Sequence, residues 1–221
     1  MTLNTDEFDK LNKKGTTKDG RSRSKIAKAS KQRGKTGERF FADILSKETG
    51  MSFQRIPNSG MMVGMSNRKR LVGMGKIQHL ISLGDIICPE NLEYYYIIES
   101  KNYKDLSFHQ LINPGNCKEL IDWLKELLYD VESAYMHINY KEPIGLLCIK
   151  ITRRGSWVIF NENYLFKRAL MKINLQYPYL KFHCEIDSKL LKENGWENIF
   201  IMTDFKSFIQ NNKQELFKKK E

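Results

Sequence analysis

Apolar residues recur along this chain in two rhythms. Phe40, Phe41, Ile44 and Leu45 fall at helical spacing, which predicts an amphipathic helix from near Gly37 to a stop at Gly50. The rhythm returns from Cys117 to His137, with Leu120, Trp123, Leu124, Leu127, Leu128 and Val131 on one side. Short runs of aromatic and β-branched residues read as strands at 52–56, 86–88, 94–101, 157–160, 181–186 and 198–202. Ile144 to Ile151 is almost continuously apolar, as expected of a central strand. The Arg153-Arg154-Gly155-Ser156 run turns that strand into the next as a hairpin. A helical stretch is expected around Tyr164 to Lys172. Thr203 is expected to cap a last helix carrying Phe205, Phe208 and Ile209. The alternation predicts one α/β domain without internal repeats.

Composition adds a partner. The chain has 221 residues, with Lys+Arg 37 against Asp+Glu 26, for a net +11. The isoelectric point of 9.4 makes a polyanion the default ligand. Residues 1–37 hold 11 basic and 4 acidic side chains, so they contribute +7 and the rest of the chain +4. Residues 1–36 therefore read as a flexible basic arm, part-helical around Ile26 to Lys31. Such an arm is a solubilising tail or a phosphate-contacting extension. No apolar run approaches the roughly 20 residues of a membrane span, and the opening MTLNTDEFDK has no signal-peptide character. Cys88, Cys117, Cys148 and Cys184 are too widely spaced for a zinc pair or a compact disulfide framework, and read as reduced thiols of a cytoplasmic protein. His79, His137 and His183 have no metal-binding spacing. Gly73-Met74-Gly75-Lys76 lacks the phosphate-loop pattern, so no nucleotide cofactor is expected.

The chemistry concentrates in residues 84–105. Asp85 opens one strand, and Glu99 stands near the end of the next with Lys101 two residues on. Alternation puts Glu99 and Lys101 on one face, and a hairpin brings Asp85 level with Glu99. Two such acids repel unless a cation lies between them, and Mg²⁺ suits hard oxygen donors while keeping waters for a phosphate. An exposed Glu–Lys pair on a strand is also a common weak ion pair. The Gly84-Asp85 step at hairpin distance, on a basic chain, favours a phosphodiesterase site. Glu38 on the edge of the first helix's apolar stripe is a second misplaced acid, which calls for a positive neighbour.

The series resembles the PD-(D/E)xK nuclease superfamily, with Gly84-Asp85 in place of Pro-Asp. Within it, residues 35–160 resemble the archaeal-type and phage Holliday junction resolvases. Gly37-Glu38-Arg39 matches the first-helix Glu-Arg. Arg55 and Ser59-Gly60 match the strand-end Arg and Ser-Gly loop, and Asp85, Glu99 and Lys101 match the metal-site motif. Pro143 to Lys150 and Trp157 match the following strand and hairpin. Two departures are evident: a Met- and Arg-rich insertion over 61–84, and a C-terminal part from 161 to 221 without counterpart in the compact members.

The resemblance implies a restriction-endonuclease-like core, a central mixed β-sheet flanked by helices. It divides the chain into a basic arm (1–36), a nuclease core (37–160, with the 61–84 insertion) and a C-terminal α/β extension of the same domain (161–221). It implies an endonuclease with Mg²⁺, or Mn²⁺ in its place, that makes paired nicks in four-way or branched DNA during recombination and repair, and cutting two equivalent strands calls for a homodimer. Such an enzyme works in the cytoplasm of a bacterial, archaeal or phage-infected cell, at the nucleoid. Restriction- or repair-type cutting of duplex DNA, or a degenerate nucleic-acid-binding module, are the alternatives. Asp85 and Glu99 would ligate the metal with the Ser100 carbonyl assisting, Glu38 would hold a metal-linked water, and Lys101 would be the catalytic lysine. Arg39, Arg55 and Ser59 would touch DNA. Arg68, Lys69 and Arg70 of the insertion, and Gln110 beyond the Glu99 strand, are further DNA-binding candidates, His109 less so. Met61 to Met65 is a junction wedge or a loop, and Arg153-Arg154 a DNA contact or a solvated turn.

Overall fold

The strands assemble into one seven-stranded mixed sheet in the order β1-β2-β3-β4-β5-β7-β6. The computed structural model describes residues 23–57, 83–107, 110–111, 117–137, 143–163, 165, 172–195 and 197–220. The elements are α1 (Arg23–Thr49), β1 (Gln54–Arg55), β2 (Ile86–Ile87), β3 (Tyr96–Tyr103), α2 (Lys118–His137), β4 (Ile144–Ile151), β5 (Gly155–Asn161), β6 (Tyr179–His183), α3 (Lys189–Glu193), β7 (Ile199–Asp204) and α4 (Phe205–Leu216). β3 and β4 run parallel, and every other neighbouring pair is antiparallel. The crossover between the parallel pair carries α2, as a parallel connection requires. No described helix is long and apolar enough to cross a membrane.

β4 is the fourth of seven strands and is apolar at nearly every position because helices cover both its faces. α2 packs on one face of β3 and β4, burying Leu120, Trp123, Leu124, Leu127, Leu128, Val131 and Ala134. α1 and α4 lie together on the other face, joined by a T-shaped contact of Phe41 with Phe205 at 4.8 Å. The C-terminal part is integral to this architecture: β7 pairs with β5, and α4 buries Phe205, Phe208 and Ile209 beneath the same sheet.

Two expectations shift at helix ends. The first helix does not begin near Gly37 but is continuous from Arg23, so the helix expected only around Ile26 to Lys31 of the arm takes in all of residues 23–36. Ala, Lys, Arg and Gln favour helix without needing an apolar stripe, and burial starts only at Gly37. Gly37 is where the helix meets the sheet: a Cβ there would lie 2.7 Å from Asn102 Cβ. Asn102 Nδ2 in turn donates to the Arg33 carbonyl at 2.8 Å, tying the helix to β3. At the other end, Asp204 rather than Thr203 caps α4, its carboxylate accepting from the Ser207 N–H at 2.8 Å. Thr203 is still strand and donates its hydroxyl to the Pro178 carbonyl. The stretch expected to be helical around 164–172 lies largely outside the described residues.

Candidate active site

β2 is only two residues long and aligns Ile86 with Ile98, so β3 extends past it. The Tyr95 and Tyr103 carbonyls accept from Ile144 and Thr152 on the β4 side, and the Ile98 carbonyl accepts from Asp85 N–H at 2.8 Å on the β2 side. Even-numbered residues of β3 thus turn their backbone polar groups toward β2. Ser100 follows that rule: its N–H donates to Asp85 Oδ2 at 2.9 Å, and its carbonyl leaves the strand on the same edge. The Ser100 hydroxyl is buried without a partner among the described residues.

Odd-numbered residues of β3 turn their side chains toward α2. Lys101 Nζ lies 3.0 Å from Glu99 Oε1 and 2.6 Å from Glu126 Oε2. Burial pushes the Glu99 carboxyl well above the usual carboxylate range, the Asp85 charge adds to that, and Lys101 only partly reverses it. Burial alone would lower the Lys101 ammonium, but the Glu99 and Glu126 charges hold it above the ordinary lysine value. Lys101 therefore keeps its proton and is an ammonium here, not a base.

Gly84 explains the departure from Pro-Asp. Its φ is 72°, and a Cβ on it would lie 3.0 Å from the Ile98 carbonyl oxygen. Its N–H donates to Asp130 Oδ2 at 3.3 Å. Proline could neither adopt that φ nor make that bond. The Asp130 carboxyl is raised to about 6 by burial, with the Glu126 and Asp85 charges adding and the Gly84 N–H opposing.

Glu38 lies on the α1 side of the same corner. The positive neighbour it calls for is Arg55, whose Nε is 3.4 Å from Glu38 Oε2. Burial and the Asp85 charge raise the Glu38 carboxyl despite Arg55, Lys35 and Arg39. Arg39 is exposed on α1. Asp85 thus links two groups: the Glu99–Ser100–Lys101 run of β3, through its bond to the Ser100 N–H, and the Glu38–Arg55 pair, whose carboxyl feels the Asp85 charge. Gln110 lies in a turn past β3, its N–H given to the Ser107 carbonyl. Arg154 at the hairpin tip pairs with Asp105 at 3.1 Å. Ser59, Arg68, Lys69, Arg70, His79, His109, Met61 to Met65 and Gly73 to Lys76 lie outside the described residues.

Sequence reasoning missed Glu126 and Asp130. Both flank the buried stripe of α2, as Glu38 flanks that of α1, but only the crossover that lays α2 over β3 brings them to Lys101 and Gly84.

The donor chemistry fits a hard divalent cation. Burial and the neighbouring Asp85 charge penalise an ionised Glu99, and a cation beside the two relieves both penalties. Burial pushes the Cys88 and Cys148 thiols up. Among the described residues no cluster of three or more His, Cys, Asp or Glu side chains is placed to enclose a metal. A donor set of two carboxylates, a carbonyl and water is one that Mg²⁺ tolerates, since it keeps several of its own waters.

No curated protein and no solved structure matches the chain. One family model does, described as phage putative PDDEXK endonuclease, over residues 29–219. That span takes in α1 from its second turn, every strand and α4. Members of the wider PD-(D/E)xK group generally use divalent metals and act on DNA. The chain belongs to the phage PDDEXK endonuclease family, with the mixed sheet and flanking helices of a restriction-endonuclease-like fold.

Proposed function

We propose that this protein is a Mg²⁺-dependent DNA endonuclease that resolves four-way or otherwise branched DNA by paired nicks, acting as a homodimer. The observation that carries the nuclease reading is that Asp85, bonded to the Ser100 N–H, flanks the Glu99–Lys101 pair where β3 runs on past its short pairing with β2. Asp85, Glu99 and the Ser100 carbonyl hold the cation, and Mn²⁺ can replace Mg²⁺. A cation held there would supply a water of lowered pKa and would neutralise charge gathering on the phosphate. Lys101, protonated, orients the attacking water or stabilises an oxygen of the reacting phosphate. Glu38, at the same corner, holds a water linked to the cation, and Arg55 beside it meets the next phosphate.

The DNA path is supported by α1. Lys25, Lys28, Lys31, Lys35 and Arg39 fall within about a third of the helix circumference over about 21 Å, on the side that borders Glu38. This stripe supplies sequence-blind affinity for a backbone that enters the site. The junction preference rests on the order of motifs shared with the resolvases. The homodimer rests on symmetry, since two equivalent strands need two equivalent sites.

The test is cleavage with Mg²⁺ of three matched substrates: four-way junction, linear duplex and single strand. Symmetric nicks near the branch point with duplex spared support the resolvase reading. Equal cutting of duplex transfers the protein to the restriction or repair type. Tight binding without cutting makes it a binding module.

A further inference from the structure

Two acids of α2 face this site and have no part in the reaction as described. Glu126 and Asp130 are four residues apart and so share one face of the helix. Glu126 Oε2 is nearer to Lys101 Nζ, at 2.6 Å, than Glu99 Oε1 is, at 3.0 Å. One turn on, Asp130 Oδ2 accepts the Gly84 N–H beside Asp85. The two acids therefore touch both ends of the constellation, the lysine and the turn that carries the first carboxylate.

The helix that bears them is held hard against the sheet. A Cβ on Gly145 of β4 would lie 2.9 Å from Val131 Cγ2 and 3.2 Å from Leu127 Cγ, so α2 approaches β4 as closely as a glycine permits. Trp123 stacks at a tilt on Tyr103 with centroids 4.6 Å apart, fixing the other end of the same face. Carboxylates on such a helix are preorganised and can impose position on more mobile groups.

We propose that Glu126 and Asp130 are positioning residues: Glu126 holds the Lys101 ammonium once Glu99 is committed to a cation, and Asp130 holds the Gly84–Asp85 turn. This rests on the roles proposed above for Lys101 and Asp85. A carboxylate ligating a divalent ion shares less charge with an ammonium, so without Glu126 the lysine would lose its orientation when the metal binds. Glu126 acts through Lys101 and Asp130 through the Gly84 N–H.

A double-mutant cycle tests the first half. Glu126→Ala is expected to lower kcat about 10- to 100-fold, the usual range for an outer-shell partner, with KM for DNA and melting temperature unchanged. Glu126→Gln keeps an acceptor for the ammonium and restores most of the rate. In a Lys101→Ala background, Glu126→Ala causes no further loss. Full rate in Glu126→Ala, or additive losses in the double variant, overturns the assignment. The ammonium resonance of Lys101 in ¹H–¹⁵N spectra of the metal-free protein gives a readout independent of cleavage. It should shift in both Glu126→Gln and Glu126→Ala, with Glu99 still holding the ammonium while no cation is bound. If it does so while wild type cuts no DNA, the pairing stands and the nuclease reading falls; if it does not move, the pairing falls. For the second half, Mn²⁺ binding to the DNA-free protein should weaken about tenfold in Asp130→Ala and stay near wild type in Asp130→Asn, which keeps the acceptor. Equal affinities in all three overturn it.

Discussion

Gly84→Ala separates backbone strain from close approach, because the fold supplies its own control. Gly84 and Gly50 have nearly the same φ, 72° and 70°. Either substitution therefore carries the left-handed penalty of about 1–2 kcal/mol for a residue with a Cβ. At Gly50 nothing lies within 4 Å of the added Cβ. At Gly84 it would lie 3.0 Å from the Ile98 carbonyl oxygen and 3.2 Å from Ile98 N, both backbone atoms of β3 that cannot swing aside. Relief requires the turn to move off β3, which stretches the Asp85 N–H to Ile98 bond and the Asp85 carboxylate to Ser100 bond together. Losing one net hydrogen bond adds about 1 kcal/mol. Gly50→Ala should thus lower the melting temperature by about 2–8 °C for a domain of this size, and Gly84→Ala by several degrees more. Thermal unfolding by circular dichroism measures both, and Mn²⁺ titration reports whether Asp85 has moved. Gly84→Ala should lose Mn²⁺ affinity and Gly50→Ala should not. Equal melting shifts with Mn²⁺ binding intact in both would refute the close-approach argument.

Three further outcomes follow from the same geometry. The folded Asp130 carboxyl titrates at about 6 against an ordinary 3.8, so between those pH values the folded protein binds more protons than the unfolded chain. Its contribution to stability, up to about 3 kcal/mol, is present below pH 4 and is lost as pH rises through about 6. In metal-free buffer the melting temperature of Asp130→Asn relative to wild type should therefore climb from pH 5 to pH 8; a constant difference contradicts the burial argument. Gly37→Ala should destabilise through the 2.7 Å approach to Asn102 Cβ, and Asn102→Gly in the same chain should recover part of the loss in a melting assay. Replacing Lys25, Lys28 and Lys31 of α1 by Ala should flatten the plot of log affinity against log salt by about 0.9 for each phosphate contact removed. An unchanged slope takes DNA off that helix.

Much of this was legible because period and burial coincide. β4 is apolar on both faces and was placed centrally for that reason, and its bounds, Ile144–Ile151, match. Glu99 and Lys101 were put on one face by strand alternation alone, and the salt bridge between them follows from it. Illegible were features set by partners distant in sequence. α1 runs back to Arg23 with hardly any buried side chain to announce it. Thr203 reads as the cap until its hydroxyl is seen bonded to the Pro178 carbonyl, and the last strand residue, Asp204, takes the Ser207 N–H instead. Glu126 and Asp130 look like ordinary helix-flank acids until the crossover lays α2 over β3. Gly84 reads as a missing proline until its φ and its bond to Asp130 are known.

The most direct test of the central claim compares wild type with Asp85→Ala/Glu99→Ala on one branched DNA substrate, scoring cleavage in Mg²⁺ and binding in Ca²⁺. The double variant should bind within a few-fold of wild type and cut nothing. Cleavage that survives both substitutions would contradict that claim, because the chemistry would then lie elsewhere on the chain.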